Sequence, residues 1–272
     1  MSAAAEEPRT LAPFGRRTAT VTANEAVGAY RVVSALDADG PRNPRPGQFY
    51  MLTAAERWGG GAGERPYLPR AFSYARAHED GTLDFLLEAV GPGTQRLAEL
   101  RPGDGLWLLG PLGIGFTPPG EGRHPLLVGG GIGTAPLLCL HDQMDQSAPV
   151  LLGFRSAAHA EAASLFRTAP EIATDDGSVG HSGLVTELLM DRLDGAEVYA
   201  CGPPPMLEAV RAICAERDVP AQLALESGMA CGFGACFGCV VPTKNGYIRL
   251  CVDGPVLPAH ELETALTPGA GH

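Results

Sequence analysis

What this sequence lacks narrows the possibilities first. Long runs without a charged residue, at 105–120 and 125–140, fall short of the roughly 20 residues that a membrane-spanning helix needs. Glycine and proline break both of them. Residues 1–17 hold no apolar stretch of the signal-peptide kind. No membrane association is expected, and the chain reads as a soluble, cytoplasmic protein. Positive charge is scarce: 20 Lys and Arg stand against 31 Asp and Glu, a net charge of −11, with no basic run. That is the wrong sign for a surface that tracks phosphates, so no nucleic-acid partner is expected. No internal repeat is visible. Low complexity is confined to the Ala/Glu/Pro-rich start.

What the sequence does have is apolar bulk and turns. Apolar residues make up 45% of the 272 positions, enough for a sizeable core and for about two domains. Glycine (36) and proline (24) together exceed a fifth of the chain, which predicts many tight turns. Residues 1–13 read as a flexible tail. Residues 14–119 carry short β-like runs at 18–23, 29–35, 48–53, 71–75, 83–90 and 106–110, separated by Gly/Pro turns. That pattern suggests an antiparallel β-barrel. From 120 to 219, strand candidates at 125–128, 150–154, 171–174 and 197–200 alternate with helical patterns such as 135–144 and 206–217, implying a parallel α/β domain. Residues 220–272 are too few for an independent core and call for a staple.

Four of the seven cysteines supply it. An odd count without a signal peptide argues for metal or redox chemistry over a disulfide framework. Cys231, Cys236 and Cys239 follow the spacing C-x4-C-x2-C, and Cys251 comes after eleven more residues. This is the plant-type pattern for a [2Fe–2S] cluster, whose two irons need four thiolates from a wrapping loop. Gly232, Gly234 and Gly238 let that loop turn tightly and bring N–H groups to the sulfurs. The alternative is a structural zinc site, which more often uses paired short knuckles. Cys139 and Cys214 read as core residues. The seven histidines are scattered singly and read as surface or loop.

Three further segments carry weaker signals. Residues 126–136 form a strand, the loop Gly129-Gly130-Gly131-Ile132-Gly133 and a helix start at Thr134. Such a loop sets backbone amides against a pyrophosphate, although it lacks the third glycine of the full dinucleotide fingerprint and can also be a mere turn. Cys201-Gly202-Pro203 ends a strand that three prolines forbid from continuing. Cys201 reads either as a small buried residue or as a soft side chain near a nicotinamide. In the barrel, Arg70-Ala71-Phe72-Ser73-Tyr74 offers a cation, rings and a hydroxyl, suited to a flavin and its phosphate or simply to a core strand with a surface arginine. Gly93 and Thr94 open a helix and make a second plausible phosphate cradle.

Taken in order, these motifs resemble the ferredoxin-reductase superfamily with a C-terminal iron–sulfur segment. They are most similar to the electron-transfer subunits of B-type, NAD-dependent dihydroorotate dehydrogenases. The stretches that carry the resemblance begin with Pro46-Gly47-Gln48-Phe49-Tyr50, Arg70-Ala71-Phe72-Ser73, Gly93-Thr94 and Gly110-Pro111-Leu112-Gly113. They continue with 129–136, Cys201-Gly202-Pro203 and Met229-Ala230-Cys231 through Cys251-Val252-Asp253-Gly254-Pro255-Val256. The resemblance implies an FAD-binding barrel, a central NAD-binding domain and a C-terminal [2Fe–2S] domain. It implies that Arg70, Ala71, Phe72 and Ser73 meet the flavin, that Leu86, Leu87 and Glu88 line it, and that Gly93 and Thr94 hold its pyrophosphate. Gly131, Gly133, Thr134, Cys201, Gly202 and Pro203 would serve NAD(H). Ala71 stands where proline is common, and Glu88 where a basic or neutral residue is more usual. Also implied is a partner, the FMN-containing catalytic subunit that oxidises dihydroorotate, in a heterotetramer of two of each. The runner-up is a related reductase component serving a sulfite reductase or hydrogenase. NAD versus NADP stays open at Phe154-Arg155-Ser156.

Overall fold

The computed structural model describes residues 9–59, 67–144 and 146–267. The first unit is a seven-stranded antiparallel sheet of β1 (Arg17–Val27), β2 (Tyr30–Leu36), β3 (Phe49–Ala54), β4 (Arg70–Ser73), β5 (Arg76–Ala77), β6 (Thr82–Leu87) and β7 (Gly105–Leu112), with the short helix α1 (Pro92–Ala98) between the last two. Its order is β4-β3-β7-β1-β2-β6-β5. The two end strands, β4 and β5, are consecutive in the chain, so the sheet must curl until its ends meet. Alternation makes this possible: Ala19 and Val21 on β1, and Val33 and Ala35 on β2, point inward while their neighbours face out. The inside is filled by Tyr50, Leu52, Tyr74, Phe85, Leu106 and Leu108. Thr10, in the stretch expected to be loose, is held by Gln48, whose side chain accepts from its N–H and donates to its carbonyl.

The second unit is a seven-stranded sheet ordered β11-β10-β9-β8-β12-β13-β16. Its strands are β8 (His124–Gly130), β9 (Val150–Phe154), β10 (Glu171–Thr174), β11 (His181–Ser182), β12 (Ala196–Cys201), β13 (Ala221–Ala224) and β16 (Val256–Pro258). All pairs are parallel except β13 with β16. The helices are α2 (Thr134–Gln143), α3 (Ala157–Ala160), α4 (Val185–Leu189) and α5 (Pro204–Glu216). Every residue of β12 is buried, as expected for a central strand covered on both faces. From β8 the chain builds outward through β9, β10 and β11, then returns to lay β12 on the other side of β8. That reversal opens a crevice at the carboxyl ends of β8 and β12, where Gly129 lies opposite Cys201.

The boundary expected at 219/220 shifts. β13 lies beyond it yet is a full member of the parallel sheet, and β16 extends that sheet further. Only the hairpin β14 (Val240–Thr243) and β15 (Gly246–Arg249), the turn α6 (Leu250–Asp253) and the cysteine loop stand apart. The expectation that every histidine lies on the surface also fails. His141 is fully buried at the end of α2, a helix packed on all sides, with its ring edge-on to Phe166. Burial lowers its pKa and keeps it neutral.

The passage between the units is pinned by a polar knot. Gln222 accepts from the Thr117 N–H and donates to the Thr117 carbonyl, at 2.9 and 3.1 Å, and donates to Glu197 at 2.7 Å. Glu197 in turn accepts the Gly120 N–H, so two buried polar side chains on β12 and β13 are satisfied by the linker itself. Among the described residues no helix is long and apolar enough to cross a membrane.

Inside the barrel, Arg17 and Asp37 form a bidentate pair at 2.7–3.1 Å, with side chains 12% and 3% exposed. Removing one partner leaves a buried charge alone, which costs about 3–5 kcal/mol. Asp37→Ala should therefore lower the unfolding free energy by that order in urea titration. A loss no larger than that of an exposed pair would show the guanidinium escaping to water.

Candidate functional site

Two clefts open at the carboxyl edge of the parallel sheet, facing the barrel. The first, about 200 Å³, is lined by Phe49, Ala71, Phe72, Ser73 and Leu86 of the barrel and by Gly133, Cys201 and Met229 opposite. The second, about 630 Å³, is lined by Tyr30 and Glu88 of the barrel, by Gly131, Gly202 and Pro203, and by Arg155 and Asp175 at the ends of β9 and β10. Ile132 and Glu226 line both, so the clefts meet there.

The expected residues sort themselves between these places. Ala71, Phe72 and Ser73 lie in the first cleft with Leu86, while Leu87 is buried in the barrel core and Glu88 stands in the second cleft. β6 ends at Leu87, so alternation no longer governs the residue after it. Gly131, Gly202 and Pro203 face the second cleft, and Gly133 and Cys201 the first. Thr134 is fully buried, and its hydroxyl donates back to the Gly131 carbonyl at 2.8 Å. It shapes the glycine loop from behind. Burial holds the Cys201 thiol well above its ordinary pKa, with Glu226 adding to the effect, so this sulfur stays protonated.

Arg70 is anchored by donating to the Leu68 carbonyl at 2.7 Å. Its guanidinium lies flat over Gly93, where a Cβ would come within 2.6–2.9 Å of three of its atoms. A cation thus sits directly on the backbone of the turn that opens α1, next to the cleft that Ala71, Phe72 and Ser73 line. Thr94 is occupied locally: its hydroxyl accepts the Val90 and Gly91 N–H groups and donates to the Gly91 carbonyl. A bidentate cation over bare backbone beside an apolar slot fits the phosphate and ring of a flavin nucleotide.

All seven cysteines are free thiols. Cys139 and Cys214 are buried in the core. The other four fall into two pairs: the Cys239 and Cys251 sulfurs are 3.2 Å apart, and Cys231 accepts the Cys236 N–H at 3.4 Å. The Gly234 and Gly238 N–H groups donate to Cys251 and Cys236 at 3.1 and 3.4 Å. Burial pushes the Cys231 thiol up, but hydrogen bonds from Phe233, Cys236 and Ala235 outweigh it and bring the pKa to about 7. Among the described residues no three acidic, histidine or cysteine side chains gather tightly enough to hold one metal ion. Two pairs of thiols wrapped by amide donors suit two irons, each taking one pair, better than a single zinc.

Sequence reasoning missed Glu226, Ile132 and Tyr30. Glu226 lies two residues after β13, and being surrounded by protein raises its carboxyl pKa. The usable signal was its place, just past a strand's carboxyl end and five before Cys231. Tyr30 belongs to the barrel yet faces the second cleft, where burial and then the nearby Glu88 carboxylate raise its pKa. Nothing local marked it.

Residues 226–263 match the family described as the iron–sulfur cluster binding domain of dihydroorotate dehydrogenase B. The chain is 36% identical over 229 residues to the "Dihydroorotate dehydrogenase B (NAD(+)), electron transfer subunit" of Caldanaerobacter subterraneus subsp. tengcongensis, covering 81% of this chain and 88% of that one. The protein of the same name from Bacillus caldolyticus is 40% identical over 232 residues, covering 80% and 86%. Among solved structures, the NADH-dependent reduced ferredoxin-NADP oxidoreductase has the same fold, with a TM-score of 0.73 at 24% identity over 90% of each chain. The chain belongs to the family of dihydroorotate dehydrogenase B electron transfer subunits.

Proposed function

We propose that this chain carries electrons between NAD(H) and an FMN-containing catalytic subunit that oxidises dihydroorotate, by way of FAD and a [2Fe–2S] cluster, in the pyrimidine biosynthesis of the cytoplasm. The observation that carries the reading is the place of Met229. It lines the first cleft, and only Ala230 separates it from Cys231. A flavin site and a cluster ligand are thus joined by two peptide units.

In this reading Arg70, over Gly93, holds the FAD pyrophosphate, and Ala71, Phe72, Ser73 and Leu86 bind the ring. Cys231, Cys236, Cys239 and Cys251 hold the cluster. Gly131, Gly202 and Pro203 bound the dinucleotide cleft, with Gly133 and Thr134 shaping the loop behind them. A bound flavin exchanges two electrons with a nicotinamide as hydride and single electrons with a cluster, which is why both can serve one chain. The protein's own contribution is position. Cys201 stays protonated at the cleft floor and adds no charge, Phe49 and Leu86 keep water out, and Glu226 stands where the two clefts join. Phe233 and Phe237, 42% and 63% exposed on the cluster loop, give the catalytic subunit an apolar face close to the cluster, in an assembly of two subunits of each kind.

Three outcomes test this. Cys236→Ser should remove iron and the reduced-cluster paramagnetic signal while FAD remains, because Arg70, Ala71, Phe72 and Ser73 lie on the barrel and not on that loop; full iron with an unchanged signal contradicts the ligand set. A charged hydrogen bond is worth roughly 1.5–3 kcal/mol, so Arg70→Ala should weaken flavin retention about ten- to a hundredfold, read as FAD lost through gel filtration. The isolated chain should oxidise NADH with ferricyanide yet form no orotate until the catalytic subunit is added. Unaided turnover of dihydroorotate would end the two-subunit reading.

A further inference from the structure

In dinucleotide-binding folds the strand after the glycine loop ends beside the adenosine ribose, about twenty residues on. There an acid accepts from the 2′-hydroxyl of NAD, whereas an arginine suits the 2′-phosphate of NADP. In this chain that strand is β9, and the residue after it is Arg155. Taken alone, an arginine at this point is compatible with NADP and leaves the choice open.

The structure places a carboxylate on that arginine. Arg155 Nη2 lies 2.7 Å from Glu88 Oε1. The same Nη2 is 2.9 Å from His159 Nε2, and His159 Nδ1 is 2.9 Å from Ser156 Oγ. His159 Nε2 also lies 3.4 Å from the same Glu88 oxygen, so the guanidinium and the imidazole both converge on this carboxylate. Arg155 and Glu88 thus form an ion pair at this corner. Glu88 does not belong to the α/β unit: it follows β6 and reaches across from the barrel. Among the described residues, Arg155 is the one cation lining the second cleft, which also carries Asp175 and Glu226. Asp175 lies beside Arg155, since Phe154 and Thr174 are partners in register. Among the described residues its carboxylate makes no hydrogen bond or ion pair.

We propose that Glu88 is the residue that makes this cleft select NADH over NADPH. The inference rests on the second cleft being the dinucleotide site. A 2′-phosphate carries close to two negative charges, and to reach Arg155 it must settle against the carboxylate already bound at Nη2, with Asp175 alongside. A ribose hydroxyl meets no such repulsion and can donate to either acid. The acid that discriminates is thus supplied by the flavin barrel, not by the dinucleotide-binding unit, and selectivity depends on how the two units dock.

The test uses the full chain with FAD and cluster bound, and titrates ADP-ribose and 2′-phospho-ADP-ribose by calorimetry. The native protein should prefer ADP-ribose. Glu88→Gln, which keeps shape and removes charge, should shift the ratio of the two affinities about tenfold toward the 2′-phosphorylated ligand, with the NADPH-to-NADH ratio of kcat/KM against ferricyanide moving the same way. Adding Arg155→Ala to Glu88→Gln should abolish the gain. A ratio that stays within twofold in Glu88→Gln, or a gain that survives loss of Arg155, overturns the role of Glu88. Failure of the native protein to bind either ligand would instead remove the dinucleotide site itself, and the proposed function with it.

Discussion

The structure depends on how closely the C-terminal segment can lie on the barrel. A side chain at Gly113 would run into the Gly254 carbonyl and Pro255, and one at Gly232 would overlap Met51. At Gly113 backbone therefore meets backbone, and the Ile114 N–H reaches the Gly254 carbonyl, while at Gly232 the loop backbone lies against the Met51 and Leu112 side chains. Gly232 is the residue after Cys231, so the loop that holds three of the four thiols is seated on β3, whose first residue, Phe49, lines the first cleft. Electron transfer between centres demands a fixed short separation. Here it is set by two missing Cβ atoms, without a dedicated linker.

The same economy fixes the other pair of sites. The parallel sheet reverses direction between β8 and β12, and the crevice this opens is closed from the far side by the barrel. Charged contacts among the described residues cross that junction, including Arg76 to Asp142 at 2.8 Å, with Arg76 also donating to the Leu165 carbonyl, and Glu88 to Arg155. Partly exposed pairs contribute little to stability, on the order of 1 kcal/mol or less. Their value is directional, since each holds only one relative placement of barrel and sheet. The buried knot of Thr117, Gln222 and Glu197 acts in the same sense at the covalent connection. The two clefts meet at Ile132 and Glu226 because these contacts leave the units no other way to face each other.

Much of this was legible in the sequence, for physical reasons. Half-buried antiparallel strands must alternate and must end at Gly/Pro turns, so six barrel strands were readable to within a few residues. A cluster loop must space its thiolates, and the matched iron–sulfur domain at 226–263 falls on the stretch the cysteine spacing marked. β13 was lost because Ala221-Gln222-Leu223-Ala224 has no β-branched residue and runs straight into the cysteine-rich stretch. His141 misled because one polar residue at the end of an apolar run looks like the first exposed position, while α2 is covered all round. Glu88 was expected beside the flavin by resemblance, whereas it lies one residue past the end of β6 and lines the second cleft. These misses share a cause. Pattern reports what a residue does within its own element, and each of these residues is governed by a different unit packed against it.

That distinction bears on how a chain with net charge −11 can hold anionic nucleotides at all. Its cations are not spread as an attractive field; they are spent singly. Arg70 is locked over Gly93 beside one cleft, and Arg155 is matched by Glu88 at the mouth of the other. The remaining anion-binding capacity must come from backbone N–H groups, which the glycine loop at 129–133 supplies without adding charge. Amides bind a pyrophosphate at close range but do not draw in polyanions from a distance, whereas free lysines and arginines would do both. An acidic surface with amide-lined clefts therefore favours ligands of modest charge. Selectivity here follows from where positive charge has been withheld.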